Sequence, residues 1–242
     1  VCGGGLRLVE QGSRNKDYPR SLMQENFINY LHCPICGGNS FRTVVNQRNA
    51  TEIREGYVYC NTCQNNFIIS KGILDFLVNP SLEVKKQQEG TTKHEMAPWG
   101  LPFNPQDSAK YKKQILSLPD GDNSDIFKKE TSFRSIAESA HAFYQGLSLL
   151  ELSGKEKLLD LGADICWSTN KFAEIGCQCV ALDINYHLPV SDVYIYENNV
   201  YFERIRADMD YLPFIDRSFD VVVNMTSIHH ATDLKRTFKE IA

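Results

Sequence analysis

From residue 131 onward, apolar positions alternate between two rhythms. In SFRSIAESAHAFYQGLSLLEL, Phe133, Ile136, Ala140, Phe143, Leu147 and Leu150 recur at helical spacing. Short continuous apolar runs follow, separated by helix-like stretches. KLLDLG at 157–162 reads as a strand ending in glycine, and STNKFAEIG at 168–176 as a helix opened by Ser168 or Thr169 and stopped by Gly176. CVALDI at 179–184, IRAD at 205–208 and FDVVVNM at 219–225 read as three more strands, and 233–242 as a further helix with Asp233 near its N-cap. Apolar strands alternating with helices predict right-handed βαβ units. Residues 131–242 are therefore expected to form an α/β domain, a doubly wound parallel sheet covered on both faces. Four strands are too few to close such a sheet, so the polypeptide is expected to continue past Ala242.

Upstream the rhythm is different. Residues 1–20 are Gly-, Arg- and Asn-rich without periodicity and read as a flexible tail. Residues 21–80 begin with Leu22, Phe27, Ile28 and Leu31, then carry short β-like pieces at 41–45, 57–60 and 67–70. Residues 81–130 are polar, with Pro98, Pro102, Pro105 and Pro119, and read as a connector with one helical piece around Lys110–Leu118. Trp99 and Phe103 either close over a ligand in the next domain or pack the linker. There is no internal repeat.

Composition adds boundaries. The 242 residues are 42% hydrophobic and 23% charged, which suits a packed protein rather than a disordered one. No apolar run of about 18 residues is present to cross a membrane. The first residues, VCGGGLRLVE, hold no apolar signal core and no initiating Met, which reads as a fragment or a processed start. Charge is uneven: residues 151–242 carry 9 Lys+Arg against 15 Asp+Glu, and residues 1–80 carry 8 against 6. The acidic C-terminal block is a poor platform for a phosphate backbone.

Four of the eight cysteines form Cys33-Pro-Ile-Cys36 and Cys60-Asn-Thr-Cys63. Two residues between thiolates let one turn present both sulfurs to one ion, and two such turns complete a tetrahedron around Zn2+. Gly37 and Gly38 supply a permissive backbone after the first pair. Redox CxxC pairs and unligated thiols are the alternatives. With four thiolates the zinc is structural, since no position stays open for a substrate. Without an export signal, a reduced, cytoplasmic compartment is expected.

A second site is expected at the turn after the first α/β strand. In Leu158-Leu159-Asp160-Leu161-Gly162 an acid stands near the strand end and a glycine at the turn, beside the next helix N-terminus. Asp183 ends the second strand, where an acid accepts hydrogen bonds from ribose hydroxyls, and Asp208 ends the third. Three carboxylates along one sheet edge suit a neutral or cationic nucleoside better than a pyrophosphate. A nicotinamide oxidoreductase would need Gly-x-Gly-x-x-Gly here, and only Gly162 is present.

Two resemblances follow from these phrases. CPICGG (33–38), CNTC (60–63) and KGILDFL (71–77) resemble the Trm112-like zinc-ribbon family over roughly residues 28–80, with Leu74 where that family prefers Pro. Such ribbons partner a methyltransferase, as a separate subunit or fused in front of it. LLDLG (158–162), ALDI (181–184), RADMDYLPFIDRSFDVVVNM (206–225) and SIHHATD (227–233) resemble class I S-adenosylmethionine-dependent methyltransferases of the type 11 kind over residues 131–242. That resemblance implies a Rossmann-like fold. It also implies Asp160 and Gly162 beside the cofactor's methionine part, Asp183 at the ribose, Asp208 and Met209 at the adenine, and Asn224 and Met225 at the inner edge. The family's Asp-x-Gly-x-Gly-x-Gly departs here: Asp164 and Cys166 replace the second and third glycines. A carboxylate there repels the cofactor's own carboxylate unless Asp164 turns outward or caps the following helix.

The sulfonium methyl is intrinsically reactive, so the protein chiefly aligns an acceptor and excludes water. His229 and His230 are candidate bases, although packing of the substrate pocket explains them as well. The expected activity is methyl transfer to a small molecule, with RNA as a second acceptor class. A basic stripe through Arg42, Arg48 and Arg54 to the cofactor mouth would favour RNA. The alternative is a non-catalytic module whose altered glycine turn has lost its ligand and whose ribbon recruits a protein partner.

Overall fold

The computed structural model describes residues 27–50, 52–94, 105–121 and 131–242. The expected tail at 1–20 lies outside them, as do Trp99 and Phe103.

Four strands make up the N-terminal part: β1 (Phe41–Arg48), β2 (Ile53–Cys60), β3 (Asn66–Ser70) and β4 (Ile73–Asp75). They form an antiparallel meander. The last hairpin turns on Lys71 and Gly72, both at positive φ (53° and 76°), the two-residue geometry that matches strand twist. Phe67, Ile69, Leu74 and Phe76 bury one face, and Ile73 is buried on the other.

Four parallel strands follow: β5 (Lys157–Leu161), β6 (Gln178–Asp183), β7 (Glu203–Arg206) and β8 (Val221–Asn224). β4 pairs in parallel with β7, Leu74 opposite Ile205 and Asp75 opposite Arg206. Both halves therefore share one eight-stranded sheet, ordered β1-β2-β3-β4-β7-β6-β5-β8. The two-part organisation expected above thus meets along a strand pair. Strand order reverses between β5 and β8, and a crevice forms at the carboxyl ends of strands where this happens.

The parallel strands bury both faces, as their continuous apolar runs imply. On one face Leu158, Cys179 and Ala181 pack beneath α3 (Thr131–Leu149), α4 (Trp167–Ile175) and α5 (Asp192–Glu197). On the other, Leu159, Leu161, Val180 and Leu182 meet Phe27, Leu31 and Phe214. β8 is only half-buried along its length.

Among its described residues the connector holds two helices rather than one. α2 (Pro105–Leu116) contains most of the expected piece and buries Tyr111 and Ile115 in the first core. α1 (Leu82–His94) has no apolar stripe, which is why periodicity misses it. Ser81 Oγ accepts from Val84 N at its start (3.1 Å), and Val84 is buried. Among the described residues no helix is long and apolar enough to cross a membrane.

Candidate functional site

The four cysteines converge. Their sulfurs lie within 4.8 Å of one another, with Cys33–Cys63 at 3.7 Å and Cys36–Cys60 at 3.6 Å. Zn–S bonds of about 2.3 Å in a tetrahedron put sulfurs about 3.8 Å apart. The donor set therefore fits zinc in number, chemistry and spacing. Both turns take one form: Gly37 N donates to Cys33 O and Gln64 N to Cys60 O. The residue after each pair, Gly37 and Gln64, has positive φ (71° and 61°). A Cβ on Gly38 would stand 2.5 Å from Thr62 Oγ1, so the two turns touch there. Burial pushes Cys33 up to about 12, while hydrogen bonds from Asn65 hold Cys63 down at about 6.

The turn after β5 keeps its left-handed backbone without its glycines. Gly162, Asp164 and Cys166 have φ of 71°, 46° and 64°. For the two residues with side chains this costs on the order of 1 kcal/mol each. Neither side chain is left in the turn. Cys166 is fully buried in the core, and Asp164 Oδ1 lies 2.5 Å from Nδ1 of buried His187. The cap of α4 is Cys166, with no side-chain hydrogen bond, so Asp164 does not cap it. A Cβ on Gly162 would fall 2.1 Å from Ser227 Oγ, so the end of β5 and the loop after β8 are in contact.

The expected cofactor residues divide into two groups. Asp183, Asp208 and Met209 gather around this turn. Asp183 Oδ2 accepts from Asp164 N (2.8 Å) and Oδ1 from Asn185 N (2.7 Å), which leaves each oxygen a further acceptor site. Burial, and then the Asp164 charge, push its carboxyl up to about 6. Asp208 Oδ1 accepts from Asp210 N, and burial raises its carboxyl too. Met209 Cε is 3.7 Å from the Cβ position of Gly162.

Asp160 and Asn224 are engaged within the protein. Asp160 is fully buried; Ser168 Oγ and Thr169 Oγ1 each donate to Oδ2 at 2.7 Å, and Oδ1 has no hydrogen-bond partner. Burial raises its pKa against those hydroxyls. The carboxyl thus anchors the start of α4. Asn224 Nδ2 donates to Leu161 O (2.9 Å) and Ser227 Oγ (2.8 Å), fastening β8 to β5.

His229 and His230 are exposed on the turn after β8, with ring centroids 4.0 Å apart. Burial and the neighbouring His229 lower the pKa of His230. Above them runs α1: Gln87 Nε2 donates to His230 O (2.8 Å) and Gln88 Nε2 to Ile184 O (2.6 Å). The helix therefore spans from the loop after β6 to the loop after β8.

Three features had no local sequence signal. His187 meets Asp164 from 23 residues away. Asp210 accepts from Thr232 Oγ1 and N, Asp233 N and Thr237 Oγ1, tying α6 (Leu234–Ile241) to the loop after β7; burial alone would raise its pKa, but these bonds lower it. Arg204, fully buried, pairs with Glu52 and Asp192 at 2.6 Å each, and Arg54 bonds both acids from the other side. Arg54 is therefore committed to the seam and drops out of the expected basic stripe. Arg42 stacks over Tyr59 at 4.2 Å.

A run of parallel strands, a left-handed turn at its switch point, an acid ending β6 and another, Asp208, two residues past the end of β7 describe the class I methyltransferase fold. Residues 159–242, about a third of the chain, match the profile of a methyltransferase-domain family. Among solved structures, the YcgJ protein of Bacillus subtilis is 23% identical over 42% of this chain and 44% of its own, with a TM-score of 0.40. A candidate methyltransferase of Bacillus halodurans is 24% identical over 41% and 44%, with a TM-score of 0.39. A complex between the Haloferax volcanii Trm112 methyltransferase activator and a candidate methyltransferase is 20% identical over 50% and 54%, with a TM-score of 0.37. The chain spans less than half the length of the two Bacillus proteins. No curated protein sequence matches it.

Proposed function

We propose that the protein transfers the methyl group of S-adenosylmethionine to a small molecule, with its ribbon held by one structural zinc ion in a reduced, cytoplasmic setting. The observation that carries this reading is the Asp183 carboxylate beside a turn left-handed at all three motif positions. Asp183 offers two free acceptor sites to ribose hydroxyls. Asp208 and Met209 border the adenine, and Gly162 lets the methionine part approach the backbone. Asp160 acts from below, by fixing α4. His187 draws the Asp164 carboxylate to itself, which lessens its repulsion of the cofactor's carboxylate.

The cofactor supplies an electrophilic methyl when bound. The chain's part is to orient and to exclude water, and α1 is suited to that because its glutamines bridge the two loops that flank the crevice. His230, its pKa lowered by burial and by His229, serves as candidate base; His229 stands beside it. RNA is the less favoured acceptor because Arg54 is consumed by Glu52 and Asp192.

Calorimetric titration of S-adenosylhomocysteine into the zinc-loaded chain tests this, with Asp183→Ala as control. Micromolar binding abolished by the control is expected. A folded protein that binds nothing would overturn it in favour of a degenerate module whose ribbon recruits a protein partner.

A further inference from the structure

A cavity of ≈ 180 Å³ opens at the amino ends of β5, β6 and β7, the opposite end of the strands from the cofactor crevice. Its walls come from both halves of the chain: Phe27 and Tyr30 from the segment leading into the cysteines, Val180 and Phe219 from the α/β part. Its polar lining is Glu203 and Lys157 at two of its ends, with Gln178 and Ser218 beside them. Glu203 is 4% exposed; its Oε2 accepts from Tyr201 Oη at 3.1 Å, and its Oε1 is buried with no hydrogen-bond partner. Lys157, half-buried, holds its Nζ 4.9 Å from the Tyr30 ring centroid.

We propose that this cavity is a second ligand site, for a small planar ring bearing an anionic group at one end and a neutral hydrogen-bond acceptor at the other. A cavity of about 150 Å³ lined by apolar side chains already takes up benzene, so one ring fits. The anionic end lies at the rim with Lys157, where water still reaches it. The neutral acceptor lies inside, against Glu203 Oε1. β5 and β7 are two strand spacings apart, about 10 Å, so one group cannot meet both residues and a ring between two polar ends can. Phe27, Tyr30 and Phe219 cover the ring.

The charged and titratable groups that act on Glu203 are Tyr201, which donates to it, and Glu52, just before β2, and Arg204, the next residue of β7, which act in opposite directions; Lys157 lines the same cavity. Burial prevails and pushes the carboxyl up to about 8. At neutral pH Oε1 therefore carries a proton to donate. That donor is lost as pH rises through 8, and the ligand is lost with it.

The test is binding of 4-acetylbenzoate to the full zinc-loaded chain, followed by calorimetry and by nuclear Overhauser contacts from its ring. Saturable binding at pH 6.5 with contacts to Phe27, Tyr30 or Phe219 is expected. Affinity should fall about tenfold at pH 9, where about a tenth of a pKa-8 acid remains protonated. Glu203→Gln keeps a donor and should bind equally at both pH values. Lys157→Met should weaken 4-acetylbenzoate and leave neutral acetophenone unchanged. No saturable binding, contacts only to the Gly162–Asp183 crevice, or a pH response retained in Glu203→Gln would each overturn the proposal. None of these outcomes depends on methyl transfer.

Discussion

At Asp183 folding and cofactor capture oppose each other, and pH separates them. The carboxyl is 5% exposed and pushed up to about 6 from an ordinary 3.8, by burial first and the Asp164 charge second. A rise of about two units corresponds to about 3 kcal/mol at 1.36 kcal/mol per unit. Because the folded value lies above the unfolded one, the group's contribution to stability is fully present below pH 4 and is lost as pH rises through 6. Comparison with Asp183→Asn isolates this group. The variant's stability relative to the natural chain should be about 2.4 kcal/mol more favourable at pH 7 than at pH 4, by urea unfolding. Ribose hydroxyls donating to the carboxylate favour its charged form and pull the pKa back down. S-adenosylhomocysteine binding should therefore release about half a proton at pH 6 and almost none at pH 8. Calorimetry at each pH, in two buffers of different ionisation enthalpy, counts those protons directly. Asp164→Asn removes the second cause and should reduce the release at pH 6. Equal heats in both buffers at pH 6 would refute the assignment of Asp183 to the ribose.

Three further outcomes follow from the packing. Gly162→Ala sets a Cβ 2.1 Å from Ser227 Oγ at φ 71°, so it should lower stability by more than about 1 kcal/mol and abolish S-adenosylhomocysteine binding; Ser227→Gly in the same chain should restore part of the stability in a thermal melt. Arg204→Met leaves Glu52 buried beside Arg54 alone and should cost about 3 kcal/mol or more in urea, with Glu52→Leu added to it recovering most of that loss. Cys60→Ser should reduce bound zinc from one equivalent to none by elemental analysis, and amide protection along β7 should fall because its outer neighbour β4 loosens.

β5, β6 and β7 were legible because each is buried on both faces, and burial on both faces writes a continuous apolar run; β8, half-buried, keeps the same run. The cysteine site was legible because two-residue spacing is itself the ligand geometry. β4 was not: three residues, Ile73–Asp75, are too few to show a period, and their partner Ile205 is more than a hundred residues away. The same distance hides the Glu52–Arg204–Asp192 cluster, whose members read singly as surface charges. Asp164 was legible as a departure from the glycine pattern but not in its outcome, because His187 belongs to a different loop. α1 escaped because what holds it is Val84 and two glutamine amides rather than an apolar face.

These long-range contacts give the ribbon a physical route to the crevice. β4 covers the outer edge of β7, and β7 runs directly into Asp208 and Met209. His32 N, one residue before Cys33, donates to Pro213 O, and Ile215 N donates to Tyr30 O, so the segment entering the metal site pins the loop that follows Met209. α1, which follows the ribbon, reaches Ile184 beyond Asp183 and His230 beyond β8. Three of the loops around the crevice are thus bonded to residues 27–94, and only the turn at Gly162 is built wholly from the α/β part. Without the ion that the four cysteines would hold, Cys33 and Cys60 lose their shared anchor, and with it the chain ends that hold His32 and β2 in place. The expected order of failure runs from the loops after β7 and β6 inward, and the Gly162 turn is the last to move.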